Sequence, residues 1–164
     1  MPFSMYQASV PVFTQILTSL AAIIDKAEAH AAEKKIEPAA LLQARLYPDM
    51  FPFLRQVQVA ADFAKGCCAR LAGAEVPRYE DTEETFADLR ARVQRTLAFI
   101  SALPQDGIEV SAQRDITTSA RQFKGQDYLL HYAMPHFYFH ATTAYAILRH
   151  NGVEVGKKDF IGSF

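Results

Sequence analysis

Two histidines near the C-terminus, His136 and His140, are the residues of this sequence best placed to do chemistry together. Side chains four residues apart lie on one face of an α-helix, one turn above the other. Two imidazoles at this spacing can bind one metal ion. The spacing therefore predicts a divalent-metal site, with zinc or nickel as the expected ion, provided that another helix supplies a third ligand.

Two residues are candidates for that third ligand. Asp62 would give a carboxylate, and a set of two histidines and one carboxylate leaves a position open for water. Gln58, one helical turn earlier, is the alternative, either as a weak ligand or through a bound water. A site without metal is the competing interpretation, because a helical core accommodates histidine and glutamine side chains that hydrogen-bond each other.

Aromatic residues are concentrated around the histidine pair. Tyr132 and Tyr145 would each bring a hydroxyl group to a pocket with mainly apolar walls. Together with Gln58, His136 and His140 they form the candidate ligand pocket. The competing explanation for these rings is core or interface packing, where aromatic side chains are common.

Composition narrows the class of protein. The chain has 164 residues, which fits one domain covering 1–164. A net charge of −1 argues against a nucleic-acid partner, which would require a clustered basic surface. No stretch reaches the roughly 18 uninterrupted apolar residues of a membrane span, and no secretory signal is visible. The adjacent Cys67 and Cys68 cannot readily pair with each other, so we expect reduced thiols and a cytoplasmic protein.

Helical periodicity predicts four long helices. The first covers residues 4–30, and the second runs from residue 51 or 53 to residue 71. The third follows Asp81, which is expected to cap it, and ends before Pro104. The fourth covers residues 125–150.

The connections between the helices also carry signals. Residues 38–42 fit a short helical turn. Residues 105–124 contain β-branched stretches and predict a small hairpin or extended excursion, including an extended segment at 108–110. Pro135 should kink the last helix just before the histidine pair. These patterns together predict an all-α four-helix bundle with a short irregular or hairpin excursion between the third and fourth long helices.

Three segments carry a family resemblance. The first runs from His140-Ala-Thr-Thr-Ala-Tyr to Lys-Asp-Phe-Ile-Gly162, and the second is Leu46-Tyr-Pro-Asp-Met-Phe-Pro-Phe-Leu-Arg-Gln-Val-Gln-Val-Ala60. The third is Arg70-Leu-Ala-Gly73, with Pro77 and Glu80-Asp-Thr-Glu83 after it. Together they span nearly the whole chain. The sequence resembles a bacterial family of unknown function within the DinB/YfiT-like superfamily of metalloenzymes.

The resemblance implies a DinB/YfiT-like four-helix bundle, often a homodimer. Metal-binding relatives use three histidines, one on the second helix and an H-x3-H pair on the last. They include thiol transferases and hydrolases that depend on a divalent metal. His136 and His140 match the pair, but the second helix of this sequence contains no histidine, and in the narrower family asparagine often stands at the position of His136.

Three functions follow from the residues and the resemblance together. The first is a small-molecule-binding homodimer with a degenerate metal site. The second is a divalent-metal-dependent transferase or hydrolase that uses His136 and His140. The third is a purely structural dimer.

Overall fold

The computed structural model describes residues 3–119 and 121–163. A π-helical segment covers Tyr128–Ala133, and a 3-10 turn covers Val110–Gln113. Two strands, β1 (Asp115–Thr117) and β2 (Gln122–Lys124), pair antiparallel. The helices in this part of the chain are α1 (Val10–Lys34), α2 (Pro38–Leu42), α3 (Phe53–Ala72), α4 (Phe86–Ser101), α5 (Gln105–Glu109), α6 (Gly125–Asp127), α7 (Met134–His150) and α8 (Lys157–Ile161).

The architecture is an all-α four-helix bundle with a small hairpin, as predicted. Its long elements are α1, α3, α4 and the continuous helix made of α6, the π-helical segment and α7. α3 packs against both α7 and α4, while α1 covers α4 and contacts α8. Burying each large apolar side chain contributes about 1.5–3 kcal/mol. The fully buried core includes Phe13, Leu17, Ile24, Val57, Leu89, Phe137 and Ile147.

α3 lies at the centre of the bundle and positions half of the candidate site. It begins after Pro52 and ends at Gly73, whose backbone has a φ of 71° in the left-handed region. Glycine adopts this conformation without the steric cost that a Cβ would add, so the helix stops there. Small buried residues such as Ala60 and Ala64 on this helix permit close approach of its neighbours.

The N-terminus of α4 differs from the prediction. Thr85, not Asp81, is the N-cap, and its side chain accepts from the backbone N–H of Asp88 in a reciprocal capping box. Asp81 lies in the preceding loop and forms ion pairs with Arg55 and Arg92. The Asp81 carboxylate thus links arginine side chains of α3 and α4 and does not cap the helix.

The excursion between α4 and α6 is only partly the predicted hairpin. The hairpin itself is confirmed, with Ile116 opposite Phe123. The extended segment expected at 108–110 is wrong, because those residues belong to α5 and the 3-10 turn. α5 packs against α3 and buries Ile108 completely, so tertiary contact overrides the β preference of the local residues.

Other boundaries shift modestly. α1 begins at Val10 instead of residue 4 and continues to Lys34, after which Lys35 adopts a left-handed φ of 55°. The short helix at Pro38 is confirmed. The kink at Pro135 stays a prediction. A π-helical segment ends two residues before this proline, and both π-helical turns and prolines are positions where helices kink.

Within the described residues, α1 is long and apolar enough to cross a membrane by length and composition. A core helix passes the same test, and 56% of its most apolar window is buried inside the bundle.

Candidate functional site

His140 lies at the buried centre of the candidate site, on α7 facing α3. Its Nδ1 atom is 2.7 Å from Oε1 of Gln56. The Gln56 amide donates through Nε2 to the carbonyl of Phe51, which turns Oε1 toward the imidazole. Because Oε1 can only accept, Nδ1 of His140 carries the proton and Nε2 keeps its lone pair.

His136 has the same tautomer but a more exposed position. Its Nδ1 atom is 2.7 Å from the backbone carbonyl of Tyr132, which can only accept a hydrogen bond. Nε2 of His136 therefore also presents a lone pair. A donating Nδ1–H with a free Nε2 is the arrangement that outer hydrogen bonds impose on metal-binding histidines.

The Phe63 side chain of α3 lies directly against the two histidines, where a third metal ligand from α3 would be expected. The ring of Phe63 stacks on His136 at 4.6 Å and on His140 at 6.0 Å between centroids. Tyr132 also packs against His136, at 4.4 Å between ring centroids, and against Phe63, at 6.0 Å. Phe51, at 6.5 Å, also stacks on His140. The structure thus brings Tyr132, His136 and His140 together, around a phenyl ring.

Burial makes His140 a neutral group. Loss of solvent around the imidazole, followed by repulsion from His136 and Arg55, lowers the pKa of His140 to about 4. At neutral pH its Nε2 lone pair is therefore available to a hydrogen-bond donor or a Lewis acid.

Asp62, the carboxylate predicted as third ligand, binds cations of the protein itself. Both of its oxygens accept from Nη2 of Arg92 at 3.0 Å, and Lys65 donates to it at 2.7 Å. The side chains of Arg92 and Lys65 are almost fully buried. We call this group, with Asp81 and Glu83, the α3–α4 ion network.

Gln58 is drawn into the same network. Its Nε2 donates to Glu83 at 2.7 Å, and its Oε1 accepts from Arg55 at 3.1 Å. In the described part of the chain, no group of three or more His, Cys, Asp or Glu side chains is placed to share a metal ion. The residues in this arrangement therefore do not fit the three-ligand site of the metal-binding relatives.

Comparison with known proteins places the chain in a family. Residues 5–161 match the family model described as Domain of unknown function (DUF1993). The chain belongs to the DUF1993 family. The chain is also similar to a DinB family member protein from Shewanella denitrificans, solved by crystallography, with 41% identity, a TM-score of 0.92, and coverage of 97% of this chain and 92% of that one. No curated protein matches.

Tyr145, predicted to line the pocket, lies elsewhere in this DUF1993 domain. It follows His140 by five residues, so it projects from a different side of α7. Its ring packs on Phe160 at 5.8 Å, and its hydroxyl donates to the carbonyl of Val155 at 3.4 Å. This tyrosine holds the C-terminal segment against the bundle.

Sequence reasoning missed two residues of the site, Gln56 and Phe63. Gln56 and Gln58 both lie on the second long helix, and only the rotation of α3 decides which of them meets His140. No local pattern distinguishes Phe63 from the other apolar residues of this helix. Its neighbour Asp62 attracted the prediction because carboxylates bind metals, whereas the packing places the phenyl ring beside the histidines.

Proposed function

We propose that this DUF1993 protein binds a small molecule at the surface formed by Tyr132, His136, His140 and Phe63, next to a degenerate metal site. The observation that carries the proposal is the neutral, nearly buried His140, whose Nε2 lone pair has no protein partner among the described residues. A polar atom of this kind, surrounded by aromatic rings, suits a ligand that donates one hydrogen bond and packs a flat apolar surface.

A ligand screen on untagged protein tests the proposal. Thermal-shift measurements with a library of small ring compounds should find ligands that stabilise the parent. His140→Ala should abolish the stabilisation, and Phe63→Leu, which leaves the His140–Gln56 hydrogen bond intact, should weaken it. His150→Ala, an exposed histidine at the end of α7, is the matched control and should behave as the parent. Stabilisation that survives in both site variants would refute the location.

A divalent-metal-dependent transferase or hydrolase is the second candidate function. In that case the protein would be one of the metalloenzymes of the DinB/YfiT-like superfamily. It is favoured by the matching tautomers of His136 and His140, which leave both Nε2 lone pairs open. A bound zinc or nickel ion would supply Lewis-acid activation of water or a thiol. The engagement of Asp62 and Gln58 by the α3–α4 ion network opposes it.

Elemental mass spectrometry separates the two functions. We expect clearly less than one equivalent of metal in the parent, before and after incubation with zinc or nickel and dialysis. About one equivalent, lost in His140→Ala and kept in His150→Ala, would instead make the metal-dependent enzyme the better reading. If the protein binds neither a ligand nor a metal, the purely structural dimer is the remaining function.

We also infer a homodimer in the cytoplasm. Several large apolar side chains are exposed, including Tyr47 at 66% and Phe139 at 56%, and a second copy would cover such surface. Both cysteines are unpaired, as is usual in a reducing compartment. Sedimentation velocity at micromolar concentration should give twice the 18.3 kDa chain mass, whereas a monomer would refute the dimer.

A further inference from the structure

A cavity of about 210 Å³ opens beside Tyr132, between α3, the turn of the hairpin and the π-helical segment. We call it the Arg70 cavity. It adjoins the histidine pair, because Tyr132 and Phe63 belong to both. Its walls are formed by Asp62, Phe63, Arg70, Ser119, Tyr128 and Tyr132, with Thr118 at the rim.

The guanidinium of Arg70 is the distinctive polar group of this cavity. Its Nη1 donates to the hydroxyl of Tyr128 at 3.1 Å, and its central carbon lies 6.0 Å from the Tyr128 ring centroid. Among residues 3–119 and 121–163, no carboxylate forms an ion pair with it. The other donors of its planar fork are therefore open to an oxyanion.

Gly66 creates the space that the guanidinium occupies. Arg70 folds back over the preceding turn of α3, and a Cβ at position 66 would lie 2.6 Å from Nη1. Because Gly66 has no side chain, the guanidinium can lie directly on the helix surface at the cavity wall. Any larger residue there would push the flexible end of Arg70 away without touching the helix backbone.

The charge balance of the cavity favours an anion. Asp62 also lines the wall, but its carboxylate already accepts from Arg92 and Lys65. In the network around Asp62, the cations Arg55, Lys65 and Arg92 balance the carboxylates Asp62, Asp81 and Glu83, so no net negative charge remains. Arg70 adds a positive charge that none of these carboxylates compensates. The remaining walls, Phe63 and Tyr132, are aromatic faces that suit a flat apolar group.

We infer that the Arg70 cavity binds a small molecule with one carboxylate or phosphate group on a single flat ring. The oxyanion lies on Arg70, and the ring packs against the cavity-facing sides of Phe63 and Tyr132, whose own ring centroids are 6.0 Å apart. The inference deepens the proposed function and rests on it, since it names the chemical class of the ligand for the same aromatic surface.

Calorimetric titration with a set of matched probes tests the ligand class. Benzoate and phenyl phosphate should bind, and benzylamine and benzyl alcohol, which keep the ring but change the charge, should bind at least about tenfold more weakly. Arg70→Gln should reduce affinity for the two anions by at least about tenfold. Gly66→Ala should weaken it in the same direction while the helical circular dichroism stays unchanged. Arg78→Gln, an exposed arginine, is the control and should bind as the parent.

Several results would overturn the inference. These are equal or tighter binding of benzylamine, or full affinity in both Arg70→Gln and Gly66→Ala. Failure of the inference remains distinct from failure of the proposed function. Uncharged ligands that require His140 but ignore Arg70 would refute only the anion site. Anion binding that requires Arg70 and weakens in Phe63→Leu, but is unaffected by His140→Ala, would refute only the role of the histidines.

Discussion

The hydrogen-bond partner of His140 decides what this residue can do. Gln56 takes its Nδ1 proton, and burial keeps the ring neutral, so the free atom of the imidazole is a lone-pair base at neutral pH. A protonated ring would instead place a charge in an aromatic surrounding where, among the residues that the structure describes, no carboxylate forms an ion pair with it. The folded state therefore disfavours protonation, and this preference has a thermodynamic consequence.

The free energy of unfolding should decrease at acidic pH because the His140 imidazole becomes protonated. Its pKa is about 4 in the folded protein against 6.5 for the ordinary side chain, so the unfolded chain binds the proton first. The stabilisation is complete above pH 6.5 and is lost as the pH falls toward 4, up to about 3 kcal/mol. Chemical denaturation across this range should show a smaller pH-dependent loss for His140→Gln than for the parent.

The exposed His150 provides the control for this titration. His150→Gln should retain the full pH-dependent loss of the parent, because that side chain lies at the solvent-exposed end of α7. Identical pH profiles for the parent and His140→Gln would contradict the buried, neutral imidazole.

The two thiols should be unreactive in the native protein. Burial raises the pKa of both Cys67 and Cys68, so little thiolate is present at neutral pH, and solvent does not reach either sulfur. A thiol reagent such as DTNB should therefore modify neither residue until denaturant unfolds the chain, when both react. Rapid modification of the folded protein would contradict this burial.

Between the helices, the α3–α4 ion network holds two elements in register. Arg92 of α4 reaches Asp62 of α3 and, in the loop between them, Asp81 and Glu83. Arg92 is nearly buried, so its charge requires these partners. The same contacts hold the Asp62 carboxylate away from the histidine pair.

Removing the arginine should destabilise this helix pair. Arg92→Met should lower the free energy of unfolding by about 3 kcal/mol, the lower end for a broken buried pair, since Asp62 and Asp81 can regain water. Denaturant unfolding of the variant measures the change. Arg95→Met, one turn along on the exposed face of α4, should change stability by less than about 1 kcal/mol. Equal effects of the two substitutions would argue against the network.

At the scale of the whole molecule, one core connects all four long elements. The buried side chains form a single continuous cluster, and α8 is tied to α1 through the ion pair of Asp159 with Lys26. This continuity supports the prediction that the chain is one domain, for which unfolding is expected to be cooperative.

Thermal unfolding should consequently show one transition. The sequence has seven tyrosines and no tryptophan, so tyrosine fluorescence reports tertiary packing while circular dichroism reports the helices. Both signals should change at the same temperature, with equal calorimetric and van't Hoff enthalpies. Two separated transitions would show that part of the chain folds on its own.

Predictions from sequence succeeded where the residues of a single helix determine the structure by their apolar periodicity. The periodic apolar residues of the second, third and fourth long helices predicted α3, α4 and α7. They failed where a distant element decided the outcome. Residues 108–110 are helical because α5 packs on α3, and Asp81 forms ion pairs with arginines of two helices while Thr85 caps α4.

The spacing of His136 and His140 was determined by the sequence alone, because a helix places residues four apart on the same face. The partners of the pair were decided only by the tertiary structure. The rotation of α3 about its axis directs Gln56 and Phe63 toward the histidines and turns Asp62 and Gln58 toward α4. That rotation follows from packing the buried faces of three helices at once, which no local pattern in one helix specifies.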